Sequence, residues 1–278
     1  FGLDAQSEKV LSIKKLFVIL INEFKKGNDS PLTNFLNACA HGNIRLALEL
    51  FRDFLKSGYT NVGEMVSVQS LWTLKIHQVL KPVMIPYRFF YDEAQSSIPN
   101  IFKIRHKKNG SHFTALRILH KLSYGVDSTS PSYLSIGELK DYFNETFNMV
   151  DDFEKNIDIF LKWGLVEANN RLDSFSQDVD SVKITHYGLY IYETLSSFFT
   201  YLELVSSDCG MFNEGTANEI VSLSNEDIKL FRSRKRVERV EARLKKAQVF
   251  IEYLMDEEKN EADLYSNDIV CFMPEIFR

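Results

Sequence analysis

The amino-acid sequence predicts a mainly α-helical fold, and three observations carry that expectation. Apolar residues recur at steps of three and four along most segments, the spacing that puts them on one face of a helix. The middle of the chain orders its elements as helix, helix, helix, strand, loop, strand. In the last segment Leu230, Val237, Leu244 and Ile251 recur every seven residues, with Val240, Ala247 and Leu254 in the companion positions of a coiled-coil seam. The 278 residues then divide into a helical bundle at 1–80, a connector with short strands at 81–110, a second unit at 111–212, and a basic heptad-bearing tail helix with a C-terminal segment at 213–278.

From Ser12 to Lys26, Ile13, Leu16, Phe17, Leu20, Ile21 and Phe24 mark the first helix, closed by Lys25, Lys26 and Gly27. A second runs from Leu32 to His41. The third, from His41 to Lys56, carries the stripe Ile44, Ala47, Leu48, Phe51 and Leu55, with Gly42 and Asn43 at its start, Arg45 in its first turn and Gly58 after its end. Val62 to Val79 predicts a fourth, with Met65, Val66, Leu71, Trp72 and Ile76 apolar. Pro82, Pro86 and Pro99 then break helices, Tyr87, Phe89, Phe90 and Tyr91 crowd together, and Asn109-Gly110 signals a turn.

The second unit predicts helices at Phe113–Leu122, Ser135–Phe143 and Val150–Trp163, with Ser135 and Glu138 as a capping box and a Ser/Pro-rich loop at Ser128–Pro131. Gly164 closes the third helix. Leu165, Val166 and Ala168 lead through a polar loop to a strand at Val182–Thr185, which completes the element order of a winged helix. A helix from Leu189 to Leu204 packs back on it, and the tail helix spans Ser224 to Met255. The apolar piece Asn267 to Arg278 has no assignment.

Composition narrows the function classes. A net charge of −5 argues against coating nucleic acid along the whole length, so charge has to be weighed by segment. Cys39, Cys209 and Cys271 are far apart, as reduced thiols of a cytoplasmic protein would be. No apolar run approaches a membrane span, so no membrane partner is expected. There is no G-x-x-x-x-G-K-[ST], G-x-S-x-G, H-E-x-x-H or C-x-x-C. His106, His112 and His120 are too loosely spaced for a ligand set, and Asp151 and Asp152 fit favourable charge at a helix N-terminus. No catalytic residue and no metal site is expected within the chain.

One motif is more pointed. Leu32-x-x-Phe35-Leu36-x-Ala38-Cys39-x-x-Gly42-Asn43-Ile44-Arg45-Leu46-Ala47-Leu48 resembles the sensor-2 helix in the lid of AAA+ and related STAND ATPases, which are P-loop ATPases. The resemblance covers Ser12 to about Gly58 and continues in order, because a winged helix follows the lid in the origin-recognition and STAND-type subgroups. It implies a helical lid bundle followed by a winged helix-turn-helix domain, with Arg45 reaching the phosphates of ATP, and the heptad spacing adds a long C-terminal helix. Guanidinium suits that role, since its planar fork donates two parallel hydrogen bonds and keeps its charge. The nucleotide-binding core of that family would precede residue 1. The chain starts at Phe1 without an initiator Met, as a fragment of something longer would, and its own N-terminal ATPase core is then its expected partner.

Charge separates the remaining surfaces. The predicted recognition helix carries Asp151, Asp152, Glu154 and Asp158 against Lys155 and Lys162, and the wing carries Asp173, Asp178 and Asp180 against Arg171 and Lys183. Phosphate contacts need the opposite sign, so DNA binding through helix and wing is disfavoured. Two stretches have the charge that the wing lacks. One holds Lys103, Arg105, Lys107, Lys108, Arg117 and Lys121; the other, on the tail, holds Arg234, Lys235 and Arg236 among further cations. These are the candidate contacts for nucleic acid or another partner. The alternative function is a winged-helix docking scaffold that self-associates through Leu230, Val237, Leu244 and Ile251.

Overall fold

The computed structural model describes residues 2–40, 43–57, 59, 62–67, 72–86, 89–124, 126–127, 130–265 and 269–273. His41, Gly42, Gly58, Leu71, Tyr87, Ser128, Asn267 and residues 274–278, on which parts of the expectations fall, lie outside them. The fold is mainly helical. The chain forms two compact units, Phe1–Tyr87 with Gln95–Ser97, and Arg88–Ala94 with Ile98–Arg278.

The first unit holds α1 (Gly2–Lys25), α2 (Pro31–Ala40), α3 (Ile44–Lys56), α4 (Val62–Ser67) and α5 (Ile76–Met84) around Leu32, Phe35, Phe54, Met65 and Leu80. α1 starts well before Ser12 and buries Ile19, Leu20 and Glu23, while Ile13, Phe17, Ile21 and Phe24 stay exposed. The apolar run Leu16–Ile21 covers so much of the helix that periodicity alone does not choose a side. The choice is made by the buried Glu23 carboxylate, which accepts from the Ser30 hydroxyl at 2.8 Å and pairs with Lys26 at 2.5 Å. The helix expected across Val62–Val79 is two helices. Lys75 is extended, and its N–H donates to the Gln78 side chain at 2.9 Å, which starts α5 afresh. Pro82 does not break that helix: it sits buried inside α5, where burial of Val79, Leu80, Val83 and Met84 outweighs one missing backbone hydrogen bond.

In the second unit the order is α6 (Thr114–Ser123), β1 (Val126–Asp127), β2 (Ser130–Pro131), β3 (Leu134–Ser135), α7 (Ile136–Phe147), α8 (Val150–Trp163), β4 (Val166–Ala168), β5 (Ser181–Ile184), α9 (His186–Glu193) and α10 (Phe199–Val205). β1 and β2 pair as a small hairpin in the stretch expected as loop. β5 lies between β3 and β4, antiparallel to both, with Val182 opposite Leu134 and Ala168. β3 went unpredicted because two residues are too few to show alternation. Ser135 caps α7 by accepting from the Gly137 N–H at 3.1 Å, one residue short of the expected box. α7 and α8 close on Asn148 and Gly164 in the left-handed region. Phe143, Phe153, Ile157, Phe160 and Leu119 fill the core. Gly188 is required by close approach, since a Cβ there would lie 2.2 Å from the Leu165 carbonyl oxygen.

The single helix expected over Leu189–Leu204 is divided into α9, a 3-10 turn at Leu195–Ser197 and α10. Ser196 and Ser197 donate their hydroxyls to the carbonyls of Tyr192 and Thr194, competing with helix continuation. Residues 81–110 contain no strand among the described residues, which corrects the expected connector strands. From Ile98 onward they fold as a loop on α10 and the turn after it. The Asn100 amide donates to the carbonyls of Val205 and Asp208, and the Tyr201 hydroxyl donates to the Pro99 carbonyl at 2.8 Å and accepts from the Ile101 N–H at 3.0 Å.

The tail is not one helix but a hairpin, α11 (Glu214–Arg232) and α12 (Arg236–Tyr265), which pack along each other. The heptad series is broken at Ser233, between Leu230 and Val237. In the final segment Phe272 and Met273 are buried, and their N–H groups donate to the Glu258 carboxylate.

Candidate functional site

Asn43 starts α3 by accepting from the Leu46 N–H at 3.1 Å, which puts Arg45 in the first turn as expected. Leu50 and Phe54, neither of them in the expected stripe, face the core, while of the stripe Ala47, Phe51 and Leu55 are half-buried and Ile44 and Leu48 are 77% and 62% exposed. Arg45 lies between them with its side chain 89% exposed, paired to Glu49 at 3.3 Å. An exposed pair one helical turn apart is worth about 0.3–0.5 kcal/mol, little hindrance to a stronger ligand. Phe51 continues the surface, its ring 5.6 Å from that of Phe24 on α1.

The basic stretch from Lys103 to Lys121 is not one surface. Arg105 is inside the protein, making a bidentate pair with Glu93 at 2.7 and 2.8 Å and donating to the Asn100 carbonyl at 3.0 Å. Burial alone would raise the Glu93 carboxyl, but the Arg105 hydrogen bonds and charge, the Asn100 N–H and Lys103 together hold it below its ordinary value. Lys103 pairs with Asp208 at 2.8 Å. Arg117, 3% exposed, pairs with Glu261 at 2.6 Å and lies 4.4 Å over the Phe147 ring. Arg105 is therefore an internal tie and not a nucleic-acid contact, and Lys103, half-buried, is engaged by Asp208 and Glu93. Lys107 and Lys108 are exposed. Lys108 borders a cleft of about 350 Å³ lined also by Gly110, Phe147, Phe212, Glu257 and Tyr265. In it burial, and next Glu261 and Asp256, raise the Glu257 carboxyl. Among the described residues that line the cleft there is no His, Ser or Cys.

α8 and the strands β4 and β5 offer no free run of cations. On α8, Lys162 is engaged by Asp158 and Lys155 donates to the Arg105 carbonyl. Lys183 on β5 pairs with Glu167 at 3.6 Å and covers the Tyr133 ring. Asp152 is fully buried and accepts from the Ser111 N–H at 3.3 Å.

Arg234, Lys235 and Arg236 behave differently from the first basic stretch: they form the exposed turn between α11 and α12. Of the heptad residues, Leu230 and Ile251 are half-buried, while Val237 and Leu244 are exposed, as are Val240 and Met255 on the same side of α12. Val237, Val240, Leu244 and Met255 form a row of exposed apolar side chains on an otherwise polar surface of α12. Of the aromatic neighbours of the turn, Phe89 belongs to the aromatic crowd noted from the sequence, whereas Phe231 was not singled out, although a phenylalanine inside a basic run was the available signal.

One buried group had been set aside with the loosely spaced histidines. His112 accepts at Nε2 from the Tyr253 hydroxyl at 2.9 Å and donates from Nδ1 to the Phe102 carbonyl at 2.6 Å, the tautomer those partners require. Burial lowers its pKa to about 4. Tyr253 in turn accepts from the Phe212 N–H. Among the described residues no group of His, Cys, Asp and Glu could hold a metal ion, and no helix is long and apolar enough to cross a membrane. No protein-family model matches the chain, and no curated protein and no solved structure was found to match it.

Proposed function

We propose that the chain is the C-terminal regulatory part of a cytoplasmic P-loop ATPase, in which residues 1–80 form the lid and residues 111–212 a winged helix. Arg45 would contact the phosphates of ATP held by a core that precedes residue 1, and the lid would couple nucleotide state to a partner. The observation that carries this reading is the placement of Arg45: an exposed guanidinium flanked by the unpacked apolar side chains of Ile44 and Leu48. A cation beside uncovered apolar surface is what one side of a docked site offers. The helix–strand–helix–helix–strand–strand order and the central position of β5 are consistent with the winged-helix part of the proposal. In the full-length protein, Arg45→Ala weakens ATP binding by about tenfold or more, the size of a lost charge-assisted hydrogen bond. Unchanged affinity and turnover would sink the assignment.

A second reading is favoured by the row of exposed apolar side chains on α12: a docking scaffold in which two copies pair through Val237, Val240, Leu244 and Met255. Sedimentation of the chain and of its Leu244→Glu variant tests it. The scaffold reading requires a dimer that the variant converts to monomer, and a monomeric unsubstituted chain removes it.

A further inference from the structure

The apex of the α11–α12 hairpin gathers charge and aromatic surface that packing does not use. Between Lys229 and Val237 lie Lys229, Arg232, Arg234, Lys235 and Arg236, with no acidic residue, in a chain whose net charge is −5. All five cations are exposed. Among the described residues their one ion pair is that of Lys235 with Glu238, at 3.8 Å. Phe231, within the run, is 44% exposed, and its ring centroid lies 5.5 Å from that of Phe89, itself 42% exposed. Arg239 sits 4.8 Å over the Phe231 ring and is held there by Asp227 at 2.7 Å, so the ring is positioned while part of it remains open.

The backbone adds an independent sign. α11 ends with the Lys235 N–H on the Leu230 carbonyl at 3.0 Å and the Arg234 N–H on the Phe231 carbonyl at 3.1 Å, a Schellman closure with Arg234 at φ +57°. α7 and α8 fill the corresponding position with Asn148 and Gly164, residues that tolerate it. An arginine there is strained, and strain kept at an exposed turn points to what the side chain contacts. Arg171, in the loop after β4, has a similar backbone conformation at φ +59° but stands near Asp173 and Asp178 and not in a basic run.

We propose that this apex binds single-stranded nucleic acid, with phosphates on Arg232, Arg234, Lys235 and Arg236 and bases stacked on Phe231 and Phe89. Cations alone would serve any polyanion; the partly open rings select one whose bases are unpaired and able to lie against them. A membrane surface fits less well. A lipid-seeking patch puts its apolar side chains foremost, whereas the turn itself, Arg232 to Arg236, is entirely polar and the rings lie beside it. The proposal is independent of Arg45 and of the lid reading.

The test is fluorescence anisotropy of a labelled oligothymidylate of about fifteen nucleotides, a length within the range one such surface spans, titrated with the whole chain without nucleotide. Binding should weaken with salt, with a log–log slope of about −0.7 per phosphate contact, and a duplex of the same length should bind less tightly. Arg234→Gly should shallow that slope by about 0.7 while the thermal transition is retained, because glycine is the residue the backbone there favours. Phe231→Leu, which keeps an apolar side chain, should weaken binding by about fivefold or more. Lack of binding, binding that both variants leave unchanged, equal affinity for the duplex, or binding to phosphatidylserine vesicles alone each overturns the proposal.

Discussion

The two basic stretches of this chain resemble each other in composition and differ in what holds them. Lys103, Arg105 and Arg117 have no acidic residue near them in sequence, yet each is matched by one brought from elsewhere: Asp208, Glu93 and Glu261. Arg232, Arg234 and Arg236 have acidic residues within a few positions on either side, yet the turn carries them away from those partners. Charge density along a sequence thus predicts neither pairing nor freedom. The topology decides, by placing a loop against α10 in one case and by ending a helix in the other.

The largest expected effect tests the paired stretch. Arg105→Ala leaves the Glu93 carboxylate buried with Lys103 at 3.5 Å as its remaining cation. Removing one member of a buried pair typically destabilises by about 3–5 kcal/mol, much of it from the charge left behind. Equilibrium denaturation measures this directly. A loss under about 1 kcal/mol would mean that Arg105 is closer to a surface cation than its geometry implies.

A somewhat smaller effect separates the paired carboxylate from a buried neutral base. His112 has its pKa lowered to about 4 from an ordinary 6.5, so below 6.5 the unfolded chain takes up a proton that the folded chain refuses. Stability is lost as pH falls from 6.5 to 4, by up to about 3 kcal/mol. Glu93, held low, acts in the same direction but in another window: its contribution is full above the ordinary glutamate value of 4.5 and is lost as pH falls below it. In urea titrations at pH 6.5 and 5, His112→Gln should flatten the dependence seen in the unsubstituted chain. An identical slope in both would show that His112 titrates as an exposed imidazole.

The legible parts of the fold were those in which local chemistry and tertiary packing agree. α8 was legible to the residue because Val150, Phe153, Ile157 and Phe160 keep period and Gly164 closes it. α3 was legible in its extent and its Asn43 start but not in its buried side, because Leu50 and Phe54, and not the expected stripe, face the core. The sequence was ambiguous wherever apolar residues were in excess: α1 offers two apolar sides, and Glu23 chose between them. The tail heptads were the opposite failure, since Leu230 and Val237 keep the spacing across Ser233 although the backbone turns between them. Among the candidate site residues, Arg45, Arg234, Lys235 and Arg236 are exposed as a contact residue must be. The burial of Arg105 was not legible, because Glu93 meets it through a fold of the loop that no periodicity records.

The smallest effect bears on the exposed stretch, and its sign is what makes it informative. Arg234→Gly removes a side chain from the left-handed region, which relieves about 1–2 kcal/mol of strain. It also gives the unfolded chain more freedom, which costs about 0.4–1 kcal/mol. The net expectation is a gain of about 0.5–1 kcal/mol, or a rise of a degree or two in Tm for a chain of this size. A cation that supported the fold would give a loss instead. If Arg234→Gly destabilises, the apex belongs with Arg105 among the internal ties. A gain in stability marks it as a residue that folding alone would replace.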